Sequence, residues 1–170
     1  FKLLEVIGSY DQIHKSKKLY QRSLLVITED AKNTSNIVIC SNCLPIPGDV
    51  IFGTQNNEDS IRAHRPGCQM INEQTKINLL WRQNSFARNE LFKVSLSLKC
   101  RNNKMIINSV FKILNEINII VLDVKLKKGQ THYFKNLEII ISVKDGLELD
   151  VVQSNLLASD MFIEVNRLIC

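Results

Sequence analysis

The chain contains no run of about 18 uncharged apolar residues, the length a membrane-crossing helix needs, so no span and no membrane partner are supported. It also lacks a charged stretch leading into a short apolar one near its start, so nothing reads as a secretory leader. A G-x-x-x-x-G-K-[ST] phosphate loop is missing, which removes the commonest sequence signature of nucleotide-phosphate binding. An even set of cysteines is missing as well. The five are Cys40, Cys43, Cys68, Cys100 and Cys170, and an odd count without a leader argues for reduced thiols in a cytoplasm rather than a disulfide framework. A strong charge of either sign is absent too, since the net value is only +5. Residues 1–23 carry five Lys/Arg against two acids, residues 24–82 five against six, and residues 83–170 twelve against nine. The basic excess at the two ends suits a nucleic-acid partner or a solubilising surface equally well. The start at Phe1 reads as a cut edge, with more protein expected upstream.

What is present divides into two patterns. Residues 1–23 read as the tail of a preceding helical region or a linker. Between 24 and 82, short β-branched runs predict strands at Leu24–Thr28, Asn36–Cys40, Val50–Gly53, Ile61–His64 and Ile77–Trp81. Pro45, Pro47 and Gly48 forbid a helix after the second run, Pro66-Gly67 makes a turn, and Cys68 is placed to open a short helical turn. Thr54–Ser60 reads as a polar loop. Five short strands in about 60 residues leave a thin core, and modules of that size commonly need a metal or a partner. Residues 83–90 read as a linker.

From residue 91 the periodicity is regular. Val94, Leu96 and Leu98 alternate with Lys93, Ser95, Ser97 and Lys99, which predicts a half-buried strand. Ile106, Val110, Ile113, Leu114 and Ile117 fall at helical spacing over 104–117, with Asn102 or Asn103 as the cap. Ile120, Leu122, Val124 and Leu126 predict a second strand, Leu137–Val143 a third, Leu149–Leu157 a second helix, and Phe162–Leu168 a last strand. The whole is α+β: a small strand-rich Cys/His module followed, over 91–170, by a ferredoxin-like β-α-β-β-α-β domain.

Chemistry concentrates in the first part. Cys40-x2-Cys43, then twenty residues, then His64-x3-Cys68, supply four N/S ligands of the kind a tetrahedral zinc ion takes. Four protein ligands leave no open position, so such a site is structural and not catalytic, and no catalytic residue is assigned. Isolated buried thiols are the plain alternative. A redox role for Cys40-Ser-Asn-Cys43 is a weaker one, because no suitable βαβ context surrounds it.

The string Cys43-Leu-Pro-Ile-Pro-Gly-Asp49, with Ile51-Phe-Gly53, Ile61-Arg-Ala-His64-Arg-Pro-Gly-Cys68 and the strand ending at Trp81, resembles the CC-x-P-x-PGD … HR-x-x-C signature of RelA/SpoT-homologue proteins. The lead-in from Leu25 to Asn36 is similar too, and the resemblance covers about 24–168. It implies a zinc-finger-like module over 24–82 and a terminal ACT domain, also called RRM, over 91–170. The family carries two adjacent cysteines where this chain has Asn42 and Cys43, and Cys40 is the candidate for the missing ligand. The family's G-x-D-R-x-G loop reads here Cys100-Arg-Asn-Asn-Lys-Met105, without either glycine, so no amino-acid binding is expected at that loop.

By the resemblance, an N-terminal catalytic half makes guanosine tetraphosphate by pyrophosphate transfer from ATP, and often hydrolyses it, while this C-terminal region regulates it in the stringent response. Nothing in the 170 residues resembles the catalytic parts, and the HD metal motif is absent. The implied partners are the ribosome, through large-subunit rRNA, and uncharged tRNA, together with the chain's own catalytic half. Lys93, Lys99, Lys125 and Lys127 fall on the outward face of the expected sheet and, with Arg65, are the candidate RNA contacts. No aromatic residue interleaves with these lysines on the first two strands, so base stacking is not expected there. A homodimer-forming or ligand-sensing ACT module, or a degenerate remnant, are the alternatives.

Overall fold

The computed structural model describes residues 26–28, 36–57, 60–82, 90–127 and 133–168. The expectations for residues 1–23 and most of the 83–90 linker lie outside these. Two sheets follow one another along the chain. The first has five strands: β1 (Val26–Thr28), β2 (Asn36–Ile39), β3 (Ile51–Asn57), β4 (Ser60–His64) and β5 (Ile77–Trp81), in the order β1-β5-β3-β4-β2. All neighbours are antiparallel except β2 and β4, which run parallel with Ile37 beside Ile61. The second has four: β6 (Phe92–Arg101), β7 (Ile120–Lys127), β8 (Phe134–Val143) and β9 (Phe162–Arg167), in the antiparallel order β7-β8-β6-β9. Helix α1 (Ile106–Glu116) joins β6 to β7, and α2 (Gly146–Leu157) joins β8 to β9. This is the ferredoxin-like order that the periodicity predicted.

The strict alternation of β6 and β8 explains the second sheet. Val94, Leu96, Leu98 and Cys100 pair with Ile141, Ile139, Leu137 and Lys135, and the apolar members are sealed beneath the helices. Ile106, Val110 and Leu114 of α1 and Leu149, Val152 and Leu156 of α2 complete that core. Helix α1 starts at Met105 rather than at an Asn cap; Asn103 instead accepts the Met105 N–H at 2.9 Å through its side-chain oxygen. It ends in a Schellman turn, with Asn118 left-handed at φ 57 and Ile119 N–H donating to Leu114 O at 2.8 Å. Helix α2 begins at Gly146, earlier than its apolar spacing indicates, because Asp145 caps it by accepting Glu148 N–H at 2.9 Å.

Three further expectations change. The polar run after Gly53 is not a loop: β3 continues to Asn57, paired with β4, and buried Thr54 lies on it. A polar side chain sits on that strand because a buried partner, His64, meets its hydroxyl. In β7 the alternation breaks at Leu122, where a bulge shifts the pairing between Val121 and Asp123. Val121 and Val124 therefore face the core, while Ile120 is 47% exposed. The turn at Cys68 is a single Ile71 N–H to Cys68 O bond, and the 3-10 turn comes later, at Glu73–Thr75.

Gly53 shows why the first sheet packs as it does. A Cβ there would lie 2.6 Å from a methyl of Ile61 and 3.2 Å from Leu79, so only glycine admits this strand spacing without repacking.

Candidate metal centre

Cys40 follows β2 and is tied to the neighbouring β4 by its N–H, which donates to Ala63 O at 2.9 Å. The chain then turns tightly: Leu44 N–H donates to Cys40 O at 3.0 Å, which folds Cys43 back beside Cys40. Leu44 takes a left-handed φ of 46, a conformation that costs a non-glycine residue roughly 1–2 kcal/mol and that surrounding bonds must hold. His64 ends β4, and the Pro66-Gly67 turn, with Gly67 at φ 78, returns Cys68 to the same point.

All four side chains are buried, and their ligand atoms lie within 4.8 Å of one another. Zinc–ligand bonds of about 2.0–2.3 Å imply tetrahedral edges of about 3.5–3.8 Å, so a slight contraction closes the set. Cys43 Sγ already stands 3.9 Å from His64 Nδ1. The other ring nitrogen, Nε2, lies 3.0 Å from the Thr54 hydroxyl. With Nε2–H donating to Thr54, the Nδ1 lone pair faces the sulfurs, the usual arrangement behind a metal-bound histidine. Arg65 N–H points at Cys43 Sγ at 3.4 Å, and the N–H groups of Asn42 and Cys43 point at Cys40 Sγ.

These donors act on the thiols. The Cys40 pKa is lowered to about 4, first by the Cys43 thiol donating to it, then by the backbone N–H groups and His64, against the opposing effect of burial. Cys43 is pushed up, because it supplies that proton and is itself buried. A cation among them would remove the need for a shared proton. Cys100, by contrast, is sealed in the second core, where burial raises it to about 11. The donor set, three sulfurs and one imidazole without an open position, can hold a metal ion of zinc type structurally. Cys40 is one of the four converging groups, and the neighbouring Asn42 has its side chain at the surface.

The Pro-Ile-Pro-Gly-Asp stretch forms a second constellation that sequence reasoning noticed only as a signature. Asp49 N–H donates to Ile46 O at 3.0 Å, with Pro47 and Gly48 between and Gly48 at φ 100, which is the residue order of a type II turn. Ile46 is 0% exposed and lies in the core of the second sheet, not of its own. The Asp49 carboxylate accepts Ile46 N–H at 2.8 Å on one oxygen and Arg167 Nη1 at 2.7 Å on the other. Trp81 Nε1–H donates to Asp49 O at 2.9 Å, and its ring meets Phe92 edge-on at 6.1 Å. Asp49 carried a sequence signal as part of the motif; Arg167 and Thr54 carried none.

The candidate RNA contacts separate. Arg65 is buried, its guanidinium donating from Nε to Cys43 O at 2.8 Å and from Nη2 to Leu168 O at 2.6 Å. Lys93, Lys99, Lys125 and Lys127 do share the face opposite the helices. Acids share it with them: Lys99 pairs with Glu164 at 2.7 Å, Lys125 with Asp123 at 3.1 Å, and Lys127 with Glu138. Aromatics appear where the first two strands had none. At the end of that face Arg101, Asn102, Tyr133, Phe134 and Ile163 line a cleft of about 450 Å³.

No family model and no curated protein matches the chain. Solved structures similar to it include a solution NMR structure of the ACT domain from GTP pyrophosphokinase of Chlorobium tepidum. It shares 14% identity over 46% of this chain and 86% of that one, with a TM-score of 0.39. The ferredoxin-like reading of the second sheet stands on its strand order and helix placement.

Proposed function

We propose that this chain is the regulatory C-terminal region of a RelA/SpoT-type guanosine tetraphosphate synthetase/hydrolase, a zinc-holding module followed by an ACT domain. The observation that carries the reading is the convergence of Cys40, Cys43, His64 and Cys68 beside a Pro-Ile-Pro-Gly-Asp turn, the two halves of the motif on which the family resemblance rests. The closed donor set supports a structural role for the zinc, and none of the converging groups has the open position that catalysis on the metal needs. Synthesis and hydrolysis belong, on this reading, to a separate catalytic half.

The region acts in the cytoplasm on the ribosome, meeting large-subunit rRNA and uncharged tRNA. Lys93, Lys99, Lys125 and Lys127 are the cations proposed to meet phosphates, and the acidic partners of the last three make that contact an exchange of ion pairs rather than a simple neutralisation. The test is co-sedimentation of the reduced chain with ribosomes at low and moderate salt. Binding that weakens steeply with salt, and is lost when the four lysines are replaced by Glu, supports the reading. Binding that is absent, or unaffected by the four substitutions, removes it.

The same internal pairing favours a second reading, in which this face meets another copy of the chain. A concentration-dependent dimer in sedimentation equilibrium, with no ribosome binding, selects that alternative.

A further inference from the structure

We propose that the Pro45–Asp49 turn is a joint through which metal occupancy of the Cys/His centre controls docking of the first sheet's module onto the second. The proposal rests on the metal reading above and adds what the metal would regulate. Its struts are two arginines that grip neighbouring peptide units of the ligand loop. Arg65, next to His64, donates to Cys43 O and, across the boundary, to Leu168 O just past β9. Arg167, on β9, donates to Leu44 O at 2.6 Å and to the Asp49 carboxylate, the latter a partly buried pair. The two loop carbonyls that meet an arginine therefore lie on either side of the Leu44 Cα, and Leu44 is the residue in a left-handed conformation.

The geometry makes sulfur position and docking one variable. When Cys43 is drawn to the other three ligands, its carbonyl and that of Leu44 are aimed at Arg65 and Arg167. The same loop then delivers Ile46 into the second core and Pro47 O onto the Gly146 N–H at 2.9 Å, the first residue of α2. Gly48 lies against Gly146, its would-be Cβ 3.5 Å from that nitrogen, so the two backbones touch at the turn. Without the metal, the loop keeps its backbone bonds, the thiol contacts and the two arginines but loses the four-point anchor that fixes Cys43. Its relaxation withdraws Cys43 O from Arg65, and Leu44 O with the Asp49 carboxylate from Arg167, and a partly buried arginine that loses acceptors is disfavoured.

Coupling between two sites is reciprocal, with factors commonly of about 5–150. Arg167, 123 residues from Leu44 in sequence and no ligand itself, must then set metal affinity. The test uses the full chain, reduced, with zinc affinity measured by chelator competition and amide exchange read at Gly146. Glu148, whose N–H is bonded within its own cap, serves as the reference amide. Chelation is expected to release Gly146 while Glu148 stays protected. Arg167→Met and Asp49→Asn are each expected to weaken zinc binding about five-fold or more. Glu164→Ala, which breaks a pair on the same strand away from the turn, should leave it unchanged. Should Arg167→Met fail to fold, Asp49→Asn decides. Stoichiometric zinc with Gly146 still protected after chelation, or with unchanged affinity in the foldable variant, overturns the joint and leaves the metal centre standing. A chain that takes up no zinc overturns the metal reading and the joint with it.

Discussion

Among the described residues, the first sheet buries six apolar side chains in its own core, Ile37, Ile39, Ile51, Ile61, Ala63 and Leu79. The second buries eighteen, one of them Ile46 borrowed from the first module. The second can therefore stand on apolar packing between its sheet and two helices. The first presents a separate cluster of Cys40, Cys43 and Cys68 around His64, where a core would otherwise have to be. Regions of similar strand content thus differ in what they bury: apolar area alone in one, a small apolar core beside a donor set able to hold a cation in the other.

Perturbations should then split the two regions. The largest effect is expected from Cys43→Ser, since Cys43 touches both Cys40 and His64. Structural zinc contributes roughly 10–16 kcal/mol of apparent folding free energy in small metal modules, and losing a central thiolate forfeits much of it. Two-dimensional NMR should show the amides of the first sheet collapsing while those of β6 and β8 persist; equal loss in both would erase the distinction. Next comes Leu96→Ala, expected to cost about 2–5 kcal/mol through a cavity under the helices and to lower the melting transition of the second sheet. Zinc content should not change with it.

Thr54→Val removes the hydroxyl that accepts His64 Nε2–H and nearly keeps the volume. Zinc affinity should fall by about 10- to 100-fold, the usual effect of losing such a support, with the melting of the second sheet untouched. Wild-type affinity in this variant would mean that the ring is oriented by packing alone.

The pH response should also have opposite signs. Ligand thiols must lose protons to bind, so zinc is released as pH falls. Cys100 acts the other way. Its folded pKa, about 11, is raised above the ordinary thiol value, so its contribution is fully present below pH 9 and is lost as pH rises towards 11. The full difference is on the order of 2 kcal/mol. Urea titrations at pH 8 and pH 11 should show the loss in the second sheet of the wild type and not in Cys100→Ala.

Legibility divided along the same line. The second sheet was readable because β6 and β8 are long and the alternation of β6 is unbroken, and because helix spacing is dictated by one apolar stripe against a sheet. Where alternation broke, at Leu122, a bulge had intervened that no single sequence marks. In the first module, the convergence of Cys40, Cys43, His64 and Cys68 was readable because metal chemistry restricts residue type and spacing. The extension of β3 was not, since Thr54 is polar and only its buried partner makes a strand position of it. Arg65 reads as a surface cation in a linear chain, and its burial depends on carbonyls supplied from residues 43 and 168. Long-range partners of polar groups are the part that periodicity does not encode.

The most direct measurement is metal analysis of the reduced full chain, paired with the absorption spectrum after cobalt substitution. One zinc per chain, and a cobalt spectrum with the thiolate charge-transfer and d–d bands of a tetrahedral three-sulfur, one-nitrogen site, is the expected result. A chain free of metal whose first sheet remains folded in the presence of chelator would contradict it.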